Sequence, residues 1–207
     1  MAFDFSRLKT GDLLLFNFKA SGCFGCFTRC IKWGTHSNYS HIGMILRDPT
    51  YINPNLRGLF VWESSWEGHP DPQDGKLKLG VQITPIQEIL QEYQGKGNVF
   101  VRQLICSPNL FNKEKLLQIH NVVYDKPYDI VPKDWVEAFF KKDSDPQKTD
   151  RFWCSALVGY IYTQAGVLDS NTDWSILVPN DFSLDGENLK FKGISRLANT
   201  EYKINFF

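Results

Sequence analysis

The 207-residue sequence has no long hydrophobic run, and its apolar stretches, such as Gly11–Phe16, extend over only a handful of residues. A membrane-spanning helix needs about 20 predominantly apolar residues. We therefore expect no transmembrane segment and a soluble protein. The sequence also lacks net charge, because 23 Lys and Arg residues balance 23 Asp and Glu residues. Without a general attraction to phosphate backbones, nucleic-acid binding is not expected.

The N-terminus lacks a secretory signal, because Met1–Phe5 has no basic start followed by an apolar core and a small-residue cleavage site. The five cysteines are an odd number, which argues against a disulfide framework in a protein made in a reducing compartment. We expect free thiols and a cytoplasmic protein.

Short apolar or alternating runs bounded by Gly, Pro, Asn or Asp dominate the first half of the sequence, and such runs predict strands. A continuous apolar run and an alternating one both fit a sheet with at least one buried face. The five predicted strands are Leu13–Phe16, His41–Leu46, Leu59–Trp62, Val81–Thr84 and Asn98–Arg102.

Helical periodicity is concentrated later in the sequence, and Pro85 is suited to open a short helix through Tyr93 because proline is tolerated in a first turn. Strands followed by helices predict an α+β fold. The length favours a single domain over residues 1–207. After Gly166 we expect only a turn and weak extended pieces. The predicted later elements are helices over Asn112–Tyr124, Trp135–Lys142 and Ser155–Ala165, a turn at Asn180–Ser183 and extended pieces within Leu189–Ile194.

Cys154 is the first candidate for a catalytic residue, because it precedes an apolar-periodic run that ends at Gly166. A cysteine at the start of a helix faces unpaired backbone amides and the positive end of the helix dipole, which stabilise a nucleophilic thiolate. The alternative is a buried and inert cysteine.

His41 begins an apolar strand directly after the polar turn Thr35–Ser40, where an imidazole can face a cleft and accept a thiol proton. Glu63 follows the next strand and could orient that imidazole, as the third member of a catalytic triad does. Glu67 and His69 are rivals for this role. A structural histidine and a solvent-facing glutamate are the alternatives.

Several motifs, taken in order, resemble the circularly permuted papain-like (NlpC-type) family of cysteine peptidases and amidases. This group includes bacterial YiiX-like hydrolases and poxviral permuted papain-like proteins and is related more distantly to the lecithin:retinol acyltransferase group. The resemblance covers about Gly11 to Gly166. The similarity to poxviral members, together with the usage of Asn, Lys, Phe and Ile, keeps a large DNA virus in view as the source, in which case the location would be the host cytoplasm or the virion. The motifs are Gly11–Phe16, Ile31–Leu46, Val61–Ser64, Lys126–Asp129 and Phe152–Val158.

This resemblance implies an antiparallel sheet or small barrel packed against helices, with Cys154 as nucleophile at a helix N-terminus, His41 as base and Glu63 as third member. Tyr128 is similar to a family tyrosine that could support an oxyanion or bind substrate, although a turn-packing aromatic is equally compatible. The implied activity is peptide or amide hydrolysis through a thioacyl-enzyme, without a cofactor or metal. A lipid acyltransferase or thioesterase of the same fold, and a non-catalytic binding module, are the alternatives.

Two further features keep these alternatives open. An acyl lipid could bind among aromatic side chains near the proposed site, although we expect most of them in the core. A Cys-x-x-Cys pair could bind zinc or be S-acylated, but it has no second pair, so we favour a glycine-hinged loop leading into a short helix over the cleft. Peripheral membrane contact and the oligomeric state stay undetermined. The aromatic residues are Phe24, Phe27, Trp33, Trp62, Trp66 and Trp153, and the candidate zinc ligands are Cys23, Cys26, Cys30 and His36.

Overall fold

Six strands pair into one antiparallel sheet in the computed structural model, which describes residues 3–18, 38–129, 148–186 and 189–205. All five predicted strands are present, each extended by one to four residues. The strands are β1 Leu13–Phe18, β2 His41–Arg47, β3 Leu59–Ser65, β4 Gly80–Pro85, β5 Gly97–Ile105 and β6 Arg196–Lys203. They lie in the order β4-β3-β2-β1-β5-β6.

The last strand of the sheet, Arg196–Lys203, lies later in the chain than the predicted extended pieces within Leu189–Ile194. Leu189–Ile194 forms only an isolated bridge between Phe191 and Leu168, whereas β6 pairs with β5 at the edge of the sheet. Most side chains of β6 are exposed or half-buried, and Leu197 is its one buried residue. This edge strand therefore lacks the apolar pattern from which the other strands were predicted.

Three α-helices occur within the described ranges: α1 Ile86–Tyr93, α2 Lys113–Val123 and α3 Cys154–Ala165. Pro85 caps α1, and the Asn112 side chain accepts a hydrogen bond from the Lys115 amide at the start of α2. Gly166 ends α3 in the left-handed conformation, with a φ of 84°. The predicted helix Trp135–Lys142 lies outside the described residues. Short 3-10 helices occupy Phe5–Arg7, Pro108–Phe111, Trp174–Ile176 and Pro179–Phe182, the last covering most of the predicted turn.

The sheet separates two apolar clusters, because successive side chains of a strand point to opposite faces. Trp62 and Met44 pack in the larger cluster with residues of α2 and α3. Val61 and Ile45 pack in the smaller cluster with residues of α1. These helices and the antiparallel sheet confirm the α+β class. Among the described helices, none combines the length and the apolar character needed to cross a membrane.

The segment that leads towards α3 is tied to the edge of β4 through Lys126–Asp129. The Val81 amide donates to the Lys126 carbonyl at 2.9 Å, and the Phe152 amide donates to the Pro127 carbonyl at 3.1 Å. Gly80 permits this close approach, since a Cβ there would lie 2.2 Å from the Lys126 carbonyl oxygen. The chain just before Cys154 is thereby fixed relative to the sheet.

Candidate active site

Cys154 is the first residue of α3, as predicted, and its thiol is free and 5% exposed. The residues on either side of it share one acceptor, the carbonyl of Leu177. The Ser155 hydroxyl donates to this oxygen at 2.7 Å and the Trp153 indole at 3.1 Å. The start of the helix is thus held rigidly, and its positive end lies at the thiol.

The imidazole of His41 lies between Cys154 and Glu63. Its Nε2 is 2.7 Å from Oε2 of Glu63, a carboxylate that is fully buried, while the ring is 12% exposed. The Cys154 side chain is the second hydrogen-bond partner of the ring. Because Nε2 faces Glu63, Nδ1 is the nitrogen left to take the thiol proton.

The electrostatics of this arrangement favour a protonated imidazole. Burial alone would lower the pKa of His41, but hydrogen bonds to Cys154 and Glu63 and the negative charges of both groups raise it well above its usual value. The raised pKa favours the positively charged imidazole, which carries a proton on both ring nitrogens. A charged imidazole beside a thiol is what an imidazolium–thiolate pair requires.

Two neighbours of Glu63 in the sheet help to set its position. Gly43, two residues after His41 on β2, leaves space for the Glu63 side chain, because a Cβ at residue 43 would lie 2.4 Å from Cγ1 of Val61 and 3.4 Å from Cβ of Glu63. Ser64, the next residue on β3, donates its hydroxyl to the Phe152 carbonyl at 2.7 Å. This bond links the strand of the carboxylate to the approach of α3.

Of the two rivals for the role of Glu63, His69 is exposed, and Glu67 lies beside the imidazole. One ligand atom each from His41, Glu63 and Glu67 lies within 4.8 Å of the others. Burial raises the pKa of Glu67 to about 7, and the charge of Glu63 acts in the same direction. Glu63 therefore contacts the ring directly, and Glu67 adds a second carboxyl group that the sequence offered only as a substitute.

Within this cluster, His41 and Glu63 are spaced as a hydrogen-bonded pair. Ligand atoms on a tetrahedral zinc ion lie about 3.3 Å apart, given metal–ligand distances near 2.0 Å. The Nε2 of His41 and the Oε2 of Glu63 are closer than that, at 2.7 Å. The spacing of this pair therefore fits a shared proton better than a shared zinc ion.

Two tyrosines adjoin the thiol and the carboxyl groups. Tyr128 is half-buried, and burial together with the charges of Cys154 and Asp129 raises its pKa well above the usual value. Tyr93, on α1, has its pKa raised by burial and by the charges of Glu67, Glu63 and Cys154. Both hydroxyl groups keep their protons at neutral pH and can donate. Tyr93 was not singled out from the sequence, because only the packing of α1 brings it here.

The remaining predicted residues are placed differently from one another. Trp62 is buried in the larger apolar cluster, as expected for a core residue, whereas Trp66 is 51% exposed. Trp153 is partly buried and packs against the larger cluster. The predictions for Phe24, Phe27, Trp33, Cys23, Cys26, Cys30 and His36 fall outside the described residues, so zinc binding and S-acylation there stay hypotheses.

Comparison with known proteins adds no relative from which a role could be transferred: no protein-family model matches the sequence, and no curated protein is similar to it. The resemblance to the permuted papain-like family thus stays a prediction.

Proposed function

We propose that this protein is a cysteine-dependent hydrolase of the permuted papain-like type that cleaves an amide or peptide bond. One observation carries the proposal: the His41 imidazole contacts both a thiol at the start of a helix and a fully buried carboxylate. A structural cysteine or histidine would need neither partner. The combination matches the nucleophile, base and orienting group of a catalytic triad.

The order of the elements supports the permuted type. His41 and Glu63 lie on the neighbouring strands β2 and β3, and Cys154 opens a helix that comes later in the chain. In the family that the motifs resemble, the histidine and its carboxylate likewise precede the cysteine. The antiparallel sheet packed against helices is compatible with this relationship.

In the first step, the thiol proton of Cys154 resides on Nδ1 of His41, and the thiolate attacks the substrate carbonyl carbon. A carbon–sulfur bond forms as the carbonyl π bond opens, which leaves a negative charge on oxygen. Glu63, at 2.7 Å from Nε2, holds the ring in place and stabilises its positive charge. The triad thereby prepares the nucleophile without a cofactor.

The developing oxyanion requires donors close to the sulfur. The backbone amide of Cys154 at the positive end of α3 is one candidate. The Tyr128 hydroxyl is the second, since the charge of Cys154 contributes to its raised pKa. A phenol that keeps its proton beside a thiolate is suited to donate to an oxyanion.

The imidazolium of His41 then donates its proton to the leaving amine, and the carbon–nitrogen bond breaks to give a thioester. Water enters, loses a proton to the neutral imidazole and attacks the thioester, which releases the acid and regenerates the thiol. Because an amine leaves only after protonation, an imidazolium beside the leaving nitrogen supplies the proton that amide cleavage requires.

Thiol labelling with mapped sites tests this function. We expect Cys154 to react with iodoacetamide and with acyl-amide activity probes well below pH 8.5, about where an ordinary thiol ionises. Cys106 is the matched control, because burial raises its pKa and it lacks a histidine partner in the described contacts. Equal slow labelling of both thiols, unchanged in the His41→Ala variant, would contradict the proposal and favour a binding module.

The same assay separates the substrate classes. We expect peptide and amide libraries to be turned over by the wild-type protein and not by Cys154→Ser. Turnover of acyl lipids or thioesters alone would assign the triad to the acyltransferase or thioesterase alternative. A cytoplasmic location is proposed together with the hydrolase function.

A further inference from the structure

Glu67 lies just beyond the end of β3 and brings a second carboxyl group to the imidazole of His41. Its carboxylate oxygen, an oxygen of Glu63 and a ring nitrogen of His41 lie within 4.8 Å of one another. The other oxygen of Glu63, Oε1, is buried and has no hydrogen-bond partner. Two carboxyl groups this close cannot both ionise without cost, so one of them holds a proton over part of the neutral range.

A hydrogen-bonded chain keeps Glu67 in this place. The amide nitrogen of Gln82, a buried residue directly opposite Glu63 on β4, donates to the Ser65 hydroxyl at 2.9 Å. Ser65 in turn forms a hydrogen bond with the Glu67 carboxyl. An exposed acid with no role would not need a buried glutamine and a serine to hold it.

Charged and titratable groups on other elements also face Glu67. Glu92 and Tyr93, on α1, interact electrostatically with it, and Glu92 is paired with Lys96. Tyr93 also senses the charge of Cys154 on α3. The charge of Glu92 raises the pKa of Glu67 in spite of its pairing with Lys96, but by less than burial and the charge of Glu63 do.

We propose that Glu67 is a positioning residue of the site, whose charge controls how strongly His41 holds its second proton. This inference rests on the proposed hydrolase function. Glu67 touches no reacting atom and acts through the imidazole. In its neutral form Glu67 adds no charge at the ring, and in its ionised form it adds one negative charge.

The transition falls in the range where such an enzyme works, because burial raises the pKa of Glu67 to about 7. An added negative charge about 5 Å from the ring favours the imidazolium by roughly tenfold or more in a partly buried site, which corresponds to about one pH unit in its titration. The effect appears only above neutral pH, since below it Glu67 is uncharged in the wild-type protein as well.

Because the effect is confined to pH values above neutrality, the Glu67→Gln variant should change one titration and leave the other unchanged. The acid limb of Cys154 alkylation by iodoacetamide should stay where it is, because both proteins then carry a neutral side chain at residue 67. The titration of the His41 ring, followed by NMR of the labelled imidazole, should move to lower pH by about one unit. Glu67→Asp, which retains the charge, should restore part of this shift.

The matched control is Glu114→Gln, which removes an exposed carboxylate from the first turn of α2. It should change neither titration. A second measurement, the carbon-13 NMR titration of the Glu67 carboxyl in the Cys154→Ser protein, should give a midpoint near neutrality and works even if Glu67→Gln folds poorly. A midpoint near 4.5 would overturn the inference.

Other outcomes separate this inference from the proposed function. If the Glu67→Gln substitution lowers Cys154 alkylation on both the acid and the basic side of its pH profile, Glu67 is merely structural and the inference is wrong. If the His41 titration is unchanged while Cys154 alkylation still depends on His41, the inference is also wrong and the hydrolase proposal stands. If wild-type alkylation of Cys154 does not depend on His41, the hydrolase proposal itself fails.

Discussion

Two buried histidines, His41 and His120, have opposite electrostatic environments in the same protein. At His41 the ring nitrogen faces the Glu63 carboxylate at 2.7 Å, and at His120 it faces the neutral amide oxygen of Gln73 at the same distance. The pKa of His41 is raised well above its usual value, whereas burial lowers that of His120.

Charged groups also lie near His120, but they pair mainly with one another. The ammonium of Lys78 is 2.9 Å from an Asp71 oxygen and 2.7 Å from an Asp74 oxygen, and it lies 4.7 Å from the centroid of the Tyr124 ring. Burial is the largest influence on the pKa of His120, while the charge of Asp71 raises this pKa and that of Lys78 lowers it. A buried histidine whose ring nitrogen faces an amide oxygen thus has a lowered pKa, whereas one that faces a carboxylate has a raised pKa.

The largest expected difference in activity is between the variants in which one of the two histidines is replaced by alanine. We expect His41→Ala to lower amide hydrolysis by about 10⁴- to 10⁶-fold, because the thiolate loses its counterion and the leaving group its acid. His120→Ala should leave low-pH alkylation of Cys154 unchanged and cost about 1–3 kcal/mol in the free energy of unfolding, because it leaves buried polar groups unpaired. Equal activity losses in the two variants, both folded by circular dichroism, would contradict the comparison.

Glu63→Gln should convert the environment of His41 into one like that of His120. With a neutral partner at Nε2, the pKa of His41 should fall, and hydrolysis should drop by about 10²- to 10⁴-fold. NMR titration of the ring and steady-state kinetics measure the two effects. Glu88→Gln, on α1, is a control for the loss of one glutamate charge. A ring titration that stays in place would show that Glu63 does not set the proton affinity.

The two regions should also respond oppositely to pH. Glu67 has a folded pKa of about 7 against an ordinary 4.5, so its contribution to stability is complete below pH 4.5 and is lost as the pH rises to about 7. His120, with its lowered pKa, instead costs stability as the pH falls below 6.5. In urea unfolding, Glu67→Gln should gain on the order of 2 kcal/mol relative to wild type between pH 4.5 and 8. A pH-independent difference would contradict this assignment.

The smallest effect is expected for Ser64→Ala, which removes the hydroxyl bonded to the Phe152 carbonyl. We expect a loss of about 1 kcal/mol in stability and a several-fold drop in hydrolysis, because the sulfur and the imidazole are held together less tightly. Thr163→Ala removes a comparable bond, from its hydroxyl to the Gly159 carbonyl at 2.8 Å, near the other end of α3. It should cost similar stability without the kinetic loss.

The sequence predicted those parts of the fold whose apolar residues recur regularly. Strands β1 to β5 and helices α2 and α3 satisfy this condition, whereas α1 was predicted from Pro85. Helix α3 begins at Cys154, one residue before the predicted start, and ends at Ala165, as predicted. Strand β6 does not, because Arg196–Lys203 is a polar edge strand that is defined by its pairing with β5. Such a strand lacks the recurring apolar residues from which a strand is predicted.

Residues of the candidate site could be singled out from the sequence where they lie at the start of a recognisable element. His41 begins β2 and Cys154 begins α3. Glu63 was preferred to Glu67 as the partner of the ring, and it lies 2.7 Å from Nε2 of His41. The joint presence of Glu63 and Glu67 was missed, because no linear spacing shows that two acids converge on one imidazole. Tyr93 was missed because its closeness to the site depends on how α1 packs.

The carbonyl of Leu177, which accepts hydrogen bonds from both neighbours of Cys154, lies outside the motifs that resemble known enzymes. A chain shortened to end at Gly166 would keep Cys154, His41 and Glu63 but lose the acceptor that fixes Trp153 and Ser155. The segment after α3 thus helps to set the position of the sulfur. Any shortened or grafted version of the proposed site should carry the chain at least through Leu177.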